Sequence, residues 1–450
     1  MQRLALAILA LIFIATPVLA EDQLTGQPPR AAPTAHIQMQ PLAVVDATPK
    51  FDVERATRAY LARVNGAARA RSDSYFEGGY WLALIDLLWT LAVSGLLLRL
   101  GLSAAIRDWA SERSRSRTYQ AMIYVTVYVA IATVAQFPLA IYEGYFREHS
   151  YGLSNQNFTA WLGDTGIGLG LTFVAALIFV PLLYAAIRRA QENWWLWGAA
   201  LAIAFQVLVA VIYPVYIAPL FNHYSPLPDS ALKTQILSLA RANDIPADNV
   251  WVMDASRQSN RISAGVSGFL GTTRITLNDN LLKQGTSDEV LAVLGHEMGH
   301  YVMGHVLRGV LLSGLMTIIA FAFMHWGFRF AVDLFGGQWQ VRRVDDIAGL
   351  PLLAALASLF FFVATPLSNT IVRSAEHQAD IFGLDAVRKP DAFATAMLKL
   401  STYRKLEPGQ WEEIVFFDHP SGHTRVHDAM VWKKEHIRDV DIRDTISPQQ

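Results

Sequence analysis

Six blocks of the chain are apolar almost throughout and long enough to cross a bilayer, at about 79–101, 120–142, 165–187, 194–217, 309–331 and 347–371. A spanning helix needs about 20 apolar residues, because each adds about 1.5 Å toward a hydrocarbon core about 30 Å thick. Most of these blocks contain no charge; Asp86 interrupts the first, and His325 and Arg329 the fifth. Ionisable groups at such depth are costly, so Arg329, near a helix end, is expected to snorkel. Asp86 is expected either to line a wet cavity or to sit at the interface. A shorter run at 1–20, "MQRLALAILALIFIATPVLA", has one basic residue and a small-residue ending, the pattern of a secretory signal or of an uncleaved first helix. Residues 21–75 read as an exported linker rich in Pro, Ala, Gln and Thr, followed from Phe51 to about Ser72 by a surface helix with Val53, Ala56, Tyr60, Leu61 and Val64 on its apolar face.

Arginines set the orientation. Arg107, Arg113, Arg115 and Arg117 follow the first span, Arg188 and Arg189 precede the block at 194, and Arg342 and Arg343 lie between the last two. The connector at 143–164, on the opposite side, offers only Arg147. The positive-inside rule makes the three Arg-rich connectors cytoplasmic and puts 218–308 and 372–450 on the outer side. The spans within 309–371 form a hairpin that returns the chain to the side it left. The two outer pieces can therefore build one domain, while 76–217 supplies a four-helix membrane region. The first piece shows helix-like "LPDSALKTQILSLARAND", strand-like "NVWVMD" and "TRITLND", and then a helix opened by a capping box of Thr286 and Glu289.

Composition agrees with this reading and removes several functions. Of 450 residues 53% are hydrophobic and only 17% charged, against about a quarter charged in a soluble chain. A net charge of -1 leaves no basic stripe for a nucleic-acid partner. The absence of cysteine excludes disulfides, thiolate zinc sites and cysteine nucleophiles.

The chemistry is concentrated in "LAVLGHEMGHYVMGHVLRGVLLSGLM" (291–316), which reads as one continuous helix entering the bilayer. His296 and His300, at i and i+4, present two imidazoles to one point, the geometry zinc requires. Glu297 lies a third of a turn round, placed to take a proton from a water that such an ion activates. A catalytic zinc needs a third protein ligand. The pattern HExxHxxGxxH would supply one, but its last two landmarks are Met303 and Val306 here. His305, nine positions past His296, is expected to point elsewhere as an interfacial histidine. The place to look is "PLSNTIVRSAEHQADIFGLDA", just past the returning span, where Glu376 and Asp380 share one helical face. Glu376 is the expected ligand, and Asp380 the acceptor for the free ring N–H of His296. His377 is turned away.

With these residues in view, the chain resembles the CAAX prenyl protease family of integral-membrane zinc endopeptidases. The resemblance runs through "YPVYIAPLFNHYSPL" (213–227), the HExxH helix, "RSAEHQAD" (373–380) and "HPSGHTR" (419–425), over most of 75–430. It implies His296, His300 and Glu376 as zinc ligands, Glu297 as general base, and Asp380 and Arg373 as residues behind the ligands. His419 and Arg425 would stand near the scissile carbonyl, where a cation or imidazole N–H steadies a developing oxyanion. The family's edge strand corresponds to Ser263, Ala264 and Gly265, where the usual asparagine and tyrosine are replaced; an extended substrate would add there as a further strand.

The expected fold is a mainly α, polytopic membrane protein: a bundle of six to seven transmembrane helices enclosing a chamber, with a zincin-like α+β catalytic domain built from two separate segments. The expected activity is zinc-dependent cleavage of membrane-associated or exported polypeptides, in a bacterial inner membrane with the catalytic domain facing the periplasm. Its partners would be a peptide or protein substrate and the lipid bilayer. The alternative, a non-proteolytic zinc-containing chaperone or assembly scaffold, would not need Glu297 beside its metal.

Overall fold

The computed structural model describes residues 51–267 and 273–437, so the expected signal at 1–20 and most of the linker lie outside the described residues. The first helix, α1 (Val53–Leu61), is capped by Asp52, whose carboxylate accepts from the amide of Arg55. It is shorter than the single helix expected to Ser72. Extended backbone at Asn65 (φ -135°) and positive φ at Gly66 (56°) break it, and a second helix, α2 (Gly66–Arg99), then runs straight into the first span.

The chain continues through α3 (Leu102–Arg113), α4 (Arg117–Ile141), α5 (Phe158–Ala190) and α6 (Trp194–Ile212). There follow β1 (Tyr224–Pro226), α7 (Ala231–Ala242), β2 (Val250–Met253), β3 (Ala264–Ser267), β4 (Arg274–Asn278), α8 (Asp279–Gln284) and α9 (Ser287–Val302). The last elements are α10 (His305–Trp339), α11 (Leu350–Val387), α12 (Pro390–Leu400), α13 (Gln410–Phe416) and α14 (Gly422–His436).

Among the described residues, five helical stretches are long and apolar enough to cross a membrane: Gly66–Arg99, Arg117–Ser150, Phe158–Leu220, His305–Trp339 and Ile347–Val387. The third folds back on itself. Gln191, at φ 48°, ends α5, and α6 packs against it. All six apolar blocks are therefore helical, and the seventh expected helix lies outside the described residues. The helices pack through Tyr124, Phe179, Tyr184, Trp194, Phe321 and Phe328, all fully buried. Polar groups also face inward: Asp86 lies 3.4 Å from the Gln136 amide, Gln156 donates to Asp164 at 3.1 Å, and Gln206 donates to Thr317 at 2.9 Å.

Ion pairs separate the two ends of the bundle. Arg107 meets Asp346 at 2.7 Å and Arg329 meets Glu192 at 2.8 Å, tying the three Arg-rich connectors together at one end. At the other end the 151–157 loop joins the 218–308 segment, Asn155 donating to Asn260 at 2.8 Å. Arg329 reaches out along the helix to the connector, as snorkelling requires.

The segments 218–308 and 372–437 build one core from both sides of the α10–α11 hairpin. Ile236, Val250, Ile275, Leu277, Leu294 and Met298 of the first piece pack with Phe393, Met397, Val426 and Met430 of the second. Each fully buried large apolar side chain stabilises this union by about 1.5–3 kcal/mol. Tyr60, Leu61 and Val64 belong to the same core, so α1 is part of the domain. Buried Lys433, 2.6 Å from Asp391, which also accepts from the Tyr60 hydroxyl, fastens it there. The sheet has the order β1-β2-β4-β3, with β2 and β4 parallel and both outer pairings antiparallel.

Candidate metal centre

The site forms where α9 crosses α11, and small residues permit the crossing. A methyl group at Gly383 of α11 would stand 2.8 Å from the backbone nitrogen of His296, and one at Gly299 of α9 would stand 3.1 Å from the Cα of Ala379. With hydrogens at these positions the two backbones touch, and the side chains a turn away meet. The start of α9 is fixed by the expected capping box: Thr286 Oγ1 accepts from the Glu289 amide at 3.3 Å, and Glu289 Oε2 accepts from the Thr286 amide at 2.7 Å.

Three donors converge there. His296 Nε2 and His300 Nε2 are 3.1 Å apart, and Glu376 places Oε2 3.2 Å from the first and Oε1 3.3 Å from the second. Zinc ligands at about 2.0–2.1 Å in a tetrahedron lie about 3.3 Å from one another. The spacing therefore matches a shared ion. Glu376 Oε2 is buried without a hydrogen-bond partner, the state of an oxygen reserved for a cation. Electrostatics point the same way. Burial disfavours charge on His296, but the Asp380 and Glu376 carboxylates beside its two ring nitrogens outweigh this and raise its pKa to about 10. This nest of carboxylates calls for positive charge between the rings.

The groups behind the ligands fix ring tautomers. His296 Nδ1 donates to Asp380 Oδ1 at 2.7 Å, so that, with a cation in place of the ring's second proton, Nε2 would turn its lone pair toward the donor set. His300 Nδ1 lies 3.0 Å from His305 Nδ1, and His305 Nε2 lies 3.2 Å from Gln378 Oε1, which also accepts from Arg308 at 3.2 Å. Because Gln378 Oε1 only accepts, His305 donates to it from Nε2 and accepts from His300 on Nδ1.

His305 therefore does not point elsewhere, and 291–316 is not one continuous helix. Gly304, at φ 65°, separates α9 from α10 and turns His305 back onto His300. That glycine is the signal in the sequence that could have found it.

Glu297 is half-buried beside His296, His300 and Glu376, and desolvation there pushes its carboxyl pKa up. His419 reaches Glu376 Oε2 at 3.3 Å through Nε2, while its Nδ1 donates to Asp418 at 2.8 Å. Burial and Arg404 oppose charge on His419, but Glu376 and Asp418 prevail and raise its pKa. Asp418 is a second residue that sequence reasoning missed, although it adjoins His419.

Arg425 departs from its expected place. Its guanidinium forms a buried pair with Asp380, donating from Nε at 2.9 Å and from Nη2 to the other oxygen, and lies 3.3 Å from His296 Nδ1. The carboxylate, held among the described residues by His296 and this arginine, draws the guanidinium to the Nδ1 side of the His296 ring. Arg373 likewise binds elsewhere than Glu376, donating to the carbonyls of Glu413 at 2.8 Å and Phe417 at 2.5 Å and so fastening the segment that leads to His419. Ala264 and Gly265 lie in β3, the terminal strand of the sheet, beside α9; Ser263 immediately precedes it. Among the described residues, nothing lies within 4 Å of where a methyl group at Gly265 would stand.

Comparison with known proteins gives the same picture. Residues 226–433 match the model of peptidase family M48, and residues 58–223 match the model described as CAAX prenyl protease N-terminal, five membrane helices. Over 336 residues the chain is 32% identical to "Uncharacterized metalloprotease YhfN" of Bacillus subtilis, covering 74% of this chain and 79% of that one. It is 31% identical over 285 residues to CAAX prenyl protease 1 of Saccharomyces cerevisiae, covering 59% of this chain and 62% of the relative. The crystal structure of S. mikatae Ste24p superposes with a TM-score of 0.69 at 22% identity, over 84% of this chain and 94% of that one.

Proposed function

The chain belongs to peptidase family M48, within the CAAX prenyl protease family of membrane metalloproteases, and on that premise we propose that it is a zinc endopeptidase that cleaves membrane-associated or exported polypeptides. The observation that carries the reading is the trio of His296, His300 and Glu376 at zinc spacing, with a half-buried acidic side chain, Glu297, next to it in the helix of the two histidines. A zinc ion held by the trio would supply a Lewis acid for the scissile carbonyl and for a water.

The chain's own residues do the rest. Glu297 takes the proton of the attacking water and passes it to the leaving amine; burial, which raises its pKa, suits it to both halves of that transfer. His419, held by Asp418, presents Nε2 toward Glu376 and can donate to the developing oxyanion. Asp380 and Arg425 together keep the His296 ring in its ligating orientation. The peptide lies extended along the free edge of β3, whose backbone groups it pairs, with little demand on its side chains at Gly265.

The inward polar groups of the bundle support a hydrated chamber leading to this site. The arginine-rich end lies opposite the catalytic segments, which supports an active site on the exported face, the periplasm for a bacterial inner membrane.

The test uses the full-length protein in lipid nanodiscs, with elemental analysis and a peptide library read by mass spectrometry. We expect one zinc per chain, and cleavage reduced about 10²–10⁴-fold in Glu297→Gln with its zinc retained. Cleavage undiminished in that variant would remove the mechanism.

A further inference from the structure

Helix α13 is built inside out. Its acidic residues turn inward: Glu412 accepts from Lys405, Tyr80 and the Gly409 amide, and Glu413 accepts from the Ser421 amide. Its apolar residues turn outward, Trp411 being 77% exposed and Ile414 exposed beside it, while Phe416 stacks on Tyr80 at 3.9 Å with its far side open. A short helix that hides its charges and displays tryptophan and isoleucine is matched to an apolar neighbour, not to water.

The depth of α13 can be measured along two separate helices. Asn369 of α11 donates to the Val415 carbonyl at 2.8 Å. From the start of α11 at Leu350 to Asn369, at 1.5 Å per residue, is about 28 Å. Tyr80 of α2 stacks on Phe416, and from the opposite end of α2 at Arg99 back to Tyr80 is again about 28 Å. A hydrocarbon core is about 30 Å thick. Both helices therefore carry α13 at the boundary between acyl chains and headgroups, on the active-site side. Its exposed face also continues that of α2, where Trp81, Ile85 and Leu88 are exposed along the spanning segment.

We propose that α13 is an interfacial helix whose partner is the lipid bilayer, with Trp411 and Ile414 inserted among the headgroups and upper acyl chains. The consequence reaches the site. Arg373 binds the Glu413 and Phe417 carbonyls, and His419 follows two residues later, so lipid that holds α13 also holds the approach to the metal centre.

The chain has no cysteine, so single labelling sites can be introduced directly. Trp411→Cys and Ile414→Cys, made separately, carry an environment-sensitive fluorophore in full-length protein reconstituted into phosphatidylcholine vesicles. Val363→Cys, exposed midway along α11, serves as the deep reference, and Lys434→Cys, exposed on α14, as the aqueous one. The expected result is quenching at 411 and 414 by lipid spin-labelled near the headgroup more than by lipid labelled deep in the chain. Iodide should quench both sites several-fold less than it quenches 434. Iodide quenching at 411 and 414 equal to that at 434 would overturn the proposal. So would shielding from iodide without lipid quenching but with self-quenching between labelled chains, the signature of a second copy on this face.

Discussion

Replacing Gly383 with alanine tests whether a contact between two backbones sets the metal site. The added methyl would lie 2.8 Å from His296 N, 3.1 Å from Gly295 C and 3.2 Å from His296 Cα. Non-bonded carbon contacts settle at about 3.5–4.0 Å, so α9 and α11 must part by about 0.5–1 Å. All the close atoms are main chain, and no rotamer change can relieve them. The histidines ride on α9 and Glu376 on α11, so their separations of 3.2 and 3.3 Å should widen by a similar amount, beyond the tolerance of about 0.2 Å that a metal site allows. Overpacking of this kind costs about 1–3 kcal/mol of stability, and a misplacement near 1 Å costs about 10²-fold in rate. The assay is zinc retained against a series of buffered chelators, with peptide cleavage and thermal midpoint measured on the same samples. Gly295→Ala supplies the contrast. Its methyl meets chiefly the Val387 side chain, at 2.5 Å, with the Gly383 backbone at 3.3 Å. Adding Val387→Ala should therefore restore most of the zinc affinity to Gly295→Ala and none to Gly383→Ala. A folded Gly383→Ala protein with undiminished zinc affinity and turnover would refute the reasoning.

His305→Leu removes the acceptor behind His300 and should lower zinc affinity about 10–100-fold. His305→Gln, which can still accept and donate, should recover part of that loss in the same titration. Arg425→Met leaves Asp380 buried with half its partners gone and should destabilise the fold by about 3–5 kcal/mol, read by thermal or denaturant unfolding of the solubilised protein. Reporter fusions after residues 110 and 437 should report opposite faces, the first cytoplasmic; reporters on one common face would contradict the orientation. Chelation should abolish cleavage, and stoichiometric zinc should restore it.

The membrane helices were legible because their signal is local: a run of apolar residues is helical in lipid whatever its neighbours do. The trio of ligands was legible because two spacings of four, at 296–300 and 376–380, lie on either side of a hairpin that must return to its starting face. The bond from His296 to Asp380 followed from the same geometry. What escaped was set by single backbone torsions and by competition between partners. Gly66 and Gly304 each break a helix that the apolar pattern alone would continue, and the second break brings His305 to His300. Arg425 was placed by a motif, but a buried carboxylate four residues past Glu376 is a stronger attractor than an empty oxyanion position. No local pattern distinguishes those two destinations.

The α10–α11 hairpin splits the metal ligands between two stretches of chain that leave the ribosome far apart in time. A nascent chain that has delivered His296 and His300 still lacks Glu376, Asp380 and Arg425, and cannot yet close the core that Phe393 and Met430 complete. Proteolytic competence is thus withheld until the last crossing is threaded and its far end has docked. A half-inserted molecule therefore has two of the three metal ligands and no assembled centre.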